Sequence, residues 1–213
     1  MKIVKYQNII FDFDGVLVES NEIRFNGFRK LFKSYPQDQV GRLVGYAKAN
    51  GGVSRYKKIA YFFSEIRQEP ISDLSIKKWA DQYSNLVEQE IVEAQSVKGS
   101  LEFLEKFVDH FDFAIVSGSD QTELRSICKK RKIDHFFKSI LGSPIEKKEN
   151  IAALLSDLNW QHNKSLYVGD SNNDLEAAKA NDLDFVGRCS GLVDWKSFDT
   201  RHVLDLSSLH EVL

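Results

Sequence analysis

The stretch Ile9-Ile10-Phe11-Asp12-Phe13-Asp14-Gly15-Val16-Leu17-Val18-Glu19 puts two carboxylates two residues apart where an apolar run ends. In an extended chain residues i and i+2 share a face, so Asp12 and Asp14 address one small volume if the chain turns there. Like charges that close call for a cation, usually Mg2+. The same Asp14-Gly15, lying between two apolar runs, is also a plain hairpin signal. A helix-loop-helix calcium site is excluded, because Val16, Leu17 and Val18 stand where further oxygen ligands are needed. Taken alone, the dipeptide leaves chemistry and a simple turn evenly matched.

Elements must hold these carboxylates in place. From residue 98 onward helical patterns alternate with short apolar runs at 111–116, 136–141, 166–168 and 185–186, the rhythm of an α/β domain with a mainly parallel sheet. Residues 20–94 break that rhythm and read as helices near 21–34, 38–48 and 53–67, with a last one from Ser72 to about Glu93. Ser72-Asp73 opens that helix and Pro70 stops the chain before it. The predicted architecture is a Rossmann-like α/β core, residues 1–19 and 95–213, interrupted after its first strand by a helical insert, residues 20–94.

Composition narrows the function classes. The 213 residues are 42% hydrophobic and 28% charged, with a formal net charge of -2, so there is no overall basic field for nucleic acid. The insert carries 12 Lys/Arg against 9 Asp/Glu, while the remainder has 17 against 22. A basic insert over an acidic core suits a phosphorylated substrate, although a solvated surface gives the same count. Cys128 and Cys189 permit no disulfide framework and suit a reducing cytosol. The opening Met1-Lys2-Ile3-Val4-Lys5-Tyr6-Gln7 lacks the pattern of a signal peptide, and no stretch is long and apolar enough to span a membrane. The expectation is a cytoplasmic protein with no nucleic-acid or membrane partner.

Ligands of open α/β sheets sit at the carboxyl ends of the strands, so the other strand ends matter as much as the first. After the 111–116 run comes Ser117-Gly118-Ser119-Asp120, a hydroxyl and small residues opening a helix; this is a phosphate cradle or a simple cap by Ser119 or Asp120. After Ile140-Leu141 comes Gly142-Ser143-Pro144-Ile145-Glu146-Lys147-Lys148, leading into a helix. Lysines there oppose the helix dipole, which an anionic partner would explain. After Leu166-Tyr167-Val168 comes Gly169-Asp170-Ser171-Asn172-Asn173-Asp174. Ser171 and Asp174 have capping-box spacing, whereas Asp170 is a third strand-end carboxylate, as a hard cation requires.

Together the four segments resemble the haloacid dehalogenase superfamily in its phosphatase form: Asp-x-Asp-Gly, a Ser or Thr after the second core strand, a Lys, then Gly-Asp-Ser-x-x-Asp. All four stand here in order, across nearly the whole chain. The insert is similar to the small helical cap of phosphoglycolate phosphatase and β-phosphoglucomutase-like proteins. The resemblance implies that Asp12 attacks phosphorus to give an aspartyl-phosphate, with Asp14 acting as general acid and then base. It implies Mg2+ held by the Asp12 carboxylate, the Asp14 main-chain carbonyl and Asp170. Ser117 and the Gly118 amide would hold phosphoryl oxygens. Lys147, or its neighbour Lys148, would balance their charge, and Asp174 would position that lysine or support the metal. The implied substrate is a small phosphorylated metabolite of the sugar phosphate, phosphoglycolate or nucleotide type, and a monomer is the default.

Asp14 argues against haloacid cleavage, because the name-giving dehalogenases lack that aspartate. The enzymatic alternative is a mutase resembling β-phosphoglucomutase. Gly52-Val53-Ser54-Arg55 looks like the cap segment with which those mutases grip a sugar phosphate. Two features favour the phosphatase: Arg24 stands where the mutases carry a gating His, and Gly169 through Asp174 has the phosphatase form. A catalytically silent binding module is the lesser alternative. Arg24, Arg55 and Lys48 of the insert are candidates for reading the substrate, against the bland reading of solvated helix faces. Tyr61-Phe62-Phe63 reads as insert core rather than a stacking surface. Lys129-Lys130-Arg131-Lys132 reads as a helix end, and the five histidines show no metal-ligand spacing.

Overall fold

The computed structural model describes residues 5–213; residues 1–4, which begin the stretch read for a leader, lie outside it. Six strands form one parallel sheet in the order β3-β2-β1-β4-β5-β6: β1 (Asn8–Phe11), β2 (Asp112–Asp120), β3 (Phe137–Ser143), β4 (Ser165–Gly169), β5 (Asp184–Arg188) and β6 (His202–Val203). The first five answer to the first carboxylate-bearing run and the four later ones. The two-residue sixth is too short to leave a periodic signal.

Chain order reverses at β1, whose Phe11 pairs with Ile115 on one side and Val168 on the other. A crevice therefore opens above the carboxyl ends of β1, β2 and β4, where an open α/β sheet takes its ligands. Period-two alternation sends neighbouring strand residues to opposite faces. Ile10, Ala114, Val116 and Tyr167 pack with Ile151, Leu154 and Leu155 of α7 (Lys147–Asp157) and Leu175 and Ala178 of α8 (Asn172–Lys179). Phe11, Phe113 and Ile115 face the other way, toward Phe103 of α5 (Ser100–Phe107) and Leu124 and Ile127 of α6 (Gln121–Lys130).

The insert supplies α1 (Asn21–Leu31), α2 (Gln37–Ala49), α3 (Arg55–Tyr61) and α4 (Asp73–Glu93). The third helix runs on to Arg67 in wider π geometry and ends at Gln68, whose φ is 55°. Ser54 and Ser72 cap α3 and α4. Phe32, Tyr35, Phe62, Phe63 and Trp79 form an aromatic cluster, while Tyr61 stacks on Tyr46 at 3.6 Å. The basic run ending α6 ties insert to core. Arg131 donates to the carbonyls of Ile91, Val92 and Ala94 at the end of α4, and Lys130 pairs with Glu88. Cys128 and Cys189 are free, and no described helix is long and apolar enough to cross a membrane.

Helix α1 bears residues of the crevice, so its seat on α4 matters. At Gly27 a Cβ would stand 2.5 Å from Val87 Cγ1 and 2.8 Å from the Tyr83 ring, so only glycine lets the two helices meet this closely. Gly27→Leu should destabilise the protein by about 1–3 kcal/mol through overpacking, despite a helix-propensity gain near 1 kcal/mol. Urea unfolding measures this, and unchanged stability would mean that the α1–α4 seat is not tight.

Candidate active site

Asp12 follows β1 and is buried. Its main-chain N–H donates to Val168 O of β4 at 2.9 Å, which sets its side chain at the crevice floor. Oδ1 accepts from the Phe13 N–H at 2.6 Å and Oδ2 from Lys147 Nζ at 2.8 Å. Lys147, buried in the first turn of α7, also donates to Asp174, whereas Lys148 turns outward to Glu146. Burial would lower the Lys147 pKa, but Asp12 and Asp174 together hold its ammonium above the ordinary range.

Asp170 follows β4 and Asp174 lies in the first turn of α8. Oxygens of Asp12, Asp170 and Asp174 lie within 4.8 Å of one another. Asp174 is fully occupied. Its Oδ1 accepts from Lys147 and the Tyr167 hydroxyl, its Oδ2 from the N–H groups of Asp170 and Ser171 and the Ser171 hydroxyl. That leaves Asp12 and Asp170 to face a cation. Burial, followed by the nearby carboxylates, pushes Asp170 up to about 8, and burial pushes Asp12 to about 6 against the pull of Lys147. Two buried oxygen donors that resist ionising together fit a hard divalent cation, whose charge would offset their repulsion.

The turn after β1 belongs to the site. Gly15 has φ 72°, and its N–H donates to Val18 O at 2.8 Å. A Cβ there would fall 2.0 Å from Asp170 Oδ2, so this position needs glycine for both backbone and room. Arg188 of β5 donates to Gly15 O and pairs with Glu19, pinning the flap to the sheet. Asn21, at the start of α1, donates to Asp170 Oδ2 at 2.7 Å.

Asp14 turns its carboxylate away from that cluster. Oδ1 accepts from the Ser20 hydroxyl and from Arg24 Nε at 2.9 Å, and Oδ2 from the Ser119 hydroxyl at 2.6 Å. Burial opposes its charge, yet Arg24 and the two hydroxyls hold the carboxyl below the usual range. Ser117 and Gly118 line the cavity at the end of β2. A Cβ on Gly118 would come 2.0 Å from Gly52 O, and one on Gly52 3.0 Å from Lys147 Nζ, so the insert's 51–53 loop lies directly on the core.

Arg24 and Arg55 line the cavity and are not solvated helix faces. Both are buried and both bond Glu123 of α6; Arg55 also donates to Ser84 and stacks on Tyr83 with its guanidinium 4.7 Å from the ring centroid. Lys48 lies apart, exposed and paired with Glu22. Asp12, Asp14, Arg24, Arg55, Lys58, Ser117, Gly118 and Asp170 line one cavity of about 60 Å³, with Phe25, Phe28 and Tyr83 as apolar wall. Within it, acid and base groups converge on carboxylates at strand ends.

Comparison with known proteins agrees with this arrangement. The profile of the family described as haloacid dehalogenase-like hydrolase matches residues 9–188. The chain belongs to that family. No curated protein matches it significantly. Among solved structures it is similar to a predicted phosphoglycolate phosphatase from Haemophilus somnus, at 18% identity and TM-score 0.78, covering 99% of each chain. It is also similar to CbbY from Rhodobacter sphaeroides in complex with phosphate, at 16% identity and TM-score 0.77 over 96% of each. A third likeness is to YfnB from Bacillus subtilis bound to magnesium, at 18% identity and TM-score 0.71 over 98% of this chain and 99% of that one. At such identities these likenesses establish the fold alone.

In this haloacid dehalogenase-like hydrolase several site residues carry no readable sequence signal. Asn21 and Glu123 sit in ordinary helical contexts, and nothing in the sequence sets Lys58 apart from Lys57. Ser119 gave only a cap signal, although the cap itself is Asp120. Glu123 is the partner on which both buried arginines depend, and their charges hold its carboxyl well below the usual range despite burial. Its ionisation therefore stabilises the fold at neutral pH, and that contribution disappears in acid as the folded carboxyl takes a proton. Glu123→Gln should cost about 3–5 kcal/mol in urea unfolding at pH 7, against less than about 1 kcal/mol for the exposed Lys48→Ala. Equal, small effects would show that the buried network contributes no more than a surface pair.

Proposed function

We propose that this protein is a Mg2+-dependent phosphatase that hydrolyses a small phosphate monoester through an aspartyl-phosphate on Asp12. The observation that carries this reading is a single buried carboxylate, Asp12, held at a strand end between Lys147 and Asp170 and open to the cavity. A carboxylate so placed is a competent nucleophile toward phosphorus. Asp12 and Asp170, with the main-chain carbonyl of Asp14, would hold Mg2+. When bound, the ion would mask repulsion between the nucleophile and an anionic phosphoryl group.

The chain's own groups supply the rest. Ser117 and the Gly118 amide would bind phosphoryl oxygens, and Lys147, fixed by Asp174, would balance their charge. Asp14, ionised beside Arg24, is in the state that takes a proton from water to hydrolyse the phospho-enzyme. To protonate the departing alkoxide it must first gain a proton, which loosening of the Arg24 contact would allow. The insert, residues 20–94, acts in this reading as a cap whose 51–53 loop excludes water from the floor while closed. Arg24 engages the acid/base directly where mutases of this cap type carry a gating histidine, which favours hydrolysis over phosphoryl return to a sugar.

Phosphate release from a broad panel of phosphomonoesters should require Mg2+, cease in EDTA and fall at least about a thousandfold in Asp12→Asn. Mg2+ should also raise the Tm of the wild type and leave Asp170→Asn unchanged. With β-glucose 1-phosphate and a bisphosphate primer the product should be inorganic phosphate. Formation of the 6-phosphate would establish the mutase, and wild-type turnover in Asp12→Asn would remove the nucleophile.

A further inference from the structure

Arg188 closes β5 where the strand's own pattern calls for an apolar side chain: Phe185, Val186 and Gly187 before it are buried, and Arg188 itself is only 8% exposed. Its base is rigid. The main chain pairs with Val203 of β6, and its carbonyl accepts from Trp195 Nε1 at 2.9 Å. The guanidinium reaches across to the flap. Nη1 donates to Gly15 O at 3.1 Å and to Glu19 at 3.2 Å, Nη2 donates to Glu19 as well, and Nε is buried without a partner. Burying a guanidinium with one donor unmet is costly, so an apolar residue would serve β5 better unless the flap needs the arginine.

The flap's own hydrogen bonds show that need. Phe13 O accepts from the N–H groups of Val16, Leu17 and Val18, and the Gly15 N–H donates to Val18 O. Among the described residues no hydrogen bond ends on Asp14 O, and the one that ends on Gly15 O comes from Arg188. The two carbonyls are joined through Gly15, whose φ is 72° and whose torsions no side chain restrains. Holding the Gly15 carbonyl from outside therefore steadies the peptide that carries the Asp14 carbonyl. Resting on the phosphatase reading above, in which Asp14 O is one of the oxygens that would hold Mg2+, we propose that Arg188 is a positioning residue for that cation. It clamps the Gly15 carbonyl so that the Asp14 carbonyl is kept available as a ligand beside Asp12 and Asp170. Glu19 supplies the counter-charge that lets the guanidinium stay buried, and it stands on the crossing from core to insert, its N–H on Gln95 O. Arg188 touches neither substrate nor cation in this role; it acts through the Gly15 turn.

Calorimetric titration of Mg2+ into the metal-free protein tests this role by its sign. If Arg188 acted through its charge alone, removing it from beside a cation site would tighten Mg2+ binding. Loss of the clamp should weaken it instead. Arg188→Met should therefore bind Mg2+ about tenfold or more weakly than the wild type. In the metal-free protein its amides at 13–18 should exchange with deuterium about tenfold or more faster. Glu19→Gln keeps the bond to Gly15 O and should stay within about threefold of the wild type in both measurements. Mg2+ affinity at or above the wild-type value in Arg188→Met overturns the proposal, as does unchanged exchange of the flap amides. Equal weakening in Glu19→Gln also overturns it, by assigning the effect to the ion pair rather than to the clamped carbonyl. Should Arg188→Met not fold, Arg188→Lys takes its place with the same expected loss, because one ammonium does not hold Glu19 and Gly15 O together as the planar fork does. Absence of Mg2+ binding in the wild type would remove the metal from the phosphatase reading and this role with it. Wild-type binding that Arg188→Met leaves intact removes the role of Arg188 alone.

Discussion

Three carboxylates buried within 4.8 Å of one another, with one ammonium among them, are the constraint to which the rest of this structure answers. Lys147 offsets only one of the charges on Asp12, Asp170 and Asp174. The sheet tolerates the arrangement because β1 and β4 are adjacent at the point where chain order reverses, so their ends present carboxylates to a crevice rather than to packed apolar side chains. Asp174 is taken out of contention by five donors, from Asp170 and Ser171 just before α8, Tyr167 and Lys147. Gly15 and Gly169 lack side chains where Asp170 and Asp174 stand: a Cβ on Gly15 would come 2.0 Å from Asp170 Oδ2, and one on Gly169 2.5 Å from the Asp174 carboxyl carbon. Two negative charges remain facing one space, a balance that suits a divalent cation.

A second buried network, Arg24–Glu123–Arg55, does for the insert what Lys147 does for the floor. Helices α1 and α3 each bring one guanidinium, and α6 of the core brings the carboxylate that holds both. Such a network gains little over an apolar core in net stability, since desolvation offsets most of its Coulomb attraction, but each member is costly to leave alone. Its effect is positional. Arg24 is held with its main-chain carbonyl accepting from the Tyr83 hydroxyl, its Nη1 on Glu123 and its Nε on Asp14, so the seat of the insert on the core sets the charge state of Asp14.

The legible part of this molecule was the part governed by local periodicity. Apolar runs gave the central strands, and their carboxyl ends carried Asp12, Asp14 and Asp170 to one crevice. At the Asp14-Gly15 pair the turn is realised: Gly15 turns the flap with positive φ, and Asp14 lines the cavity. Where the reading stopped, the cause was rotation or distance. Lys147 and Lys148 precede the same helix, and only the docking angle of α7 sends one inward and the other to Glu146. Arg24 and Arg55 read as faces awaiting solvent or substrate because Glu123 lies 99 and 68 residues away in the chain. Nothing in the sequence separates Lys58 from Lys57; the packing of α3 against α4 and β2 buries the first and leaves the second outside on Glu146.

The two aspartates that share one face of a strand end are driven apart by what surrounds them. Burial among carboxylates raises Asp12, whereas Arg24, Ser119 and Ser20 lower Asp14. Opposite shifts in a close pair of carboxyl groups are how one site assigns two roles. Here the shifts also have separate origins: the Asp12 environment is built from β1, β4, α7 and α8 of the core, while the Asp14 environment is completed by α1 of the insert. In the phosphatase reading the charge on the nucleophile would therefore answer to the floor and whatever cation it holds, and the charge on the acid/base to closure. In the phosphatase reading, opening the insert would free Asp14 from Arg24 without disturbing Lys147 on Asp12. Product exchange and recharging of the acid/base would then be one motion, with the nucleophile left in place throughout.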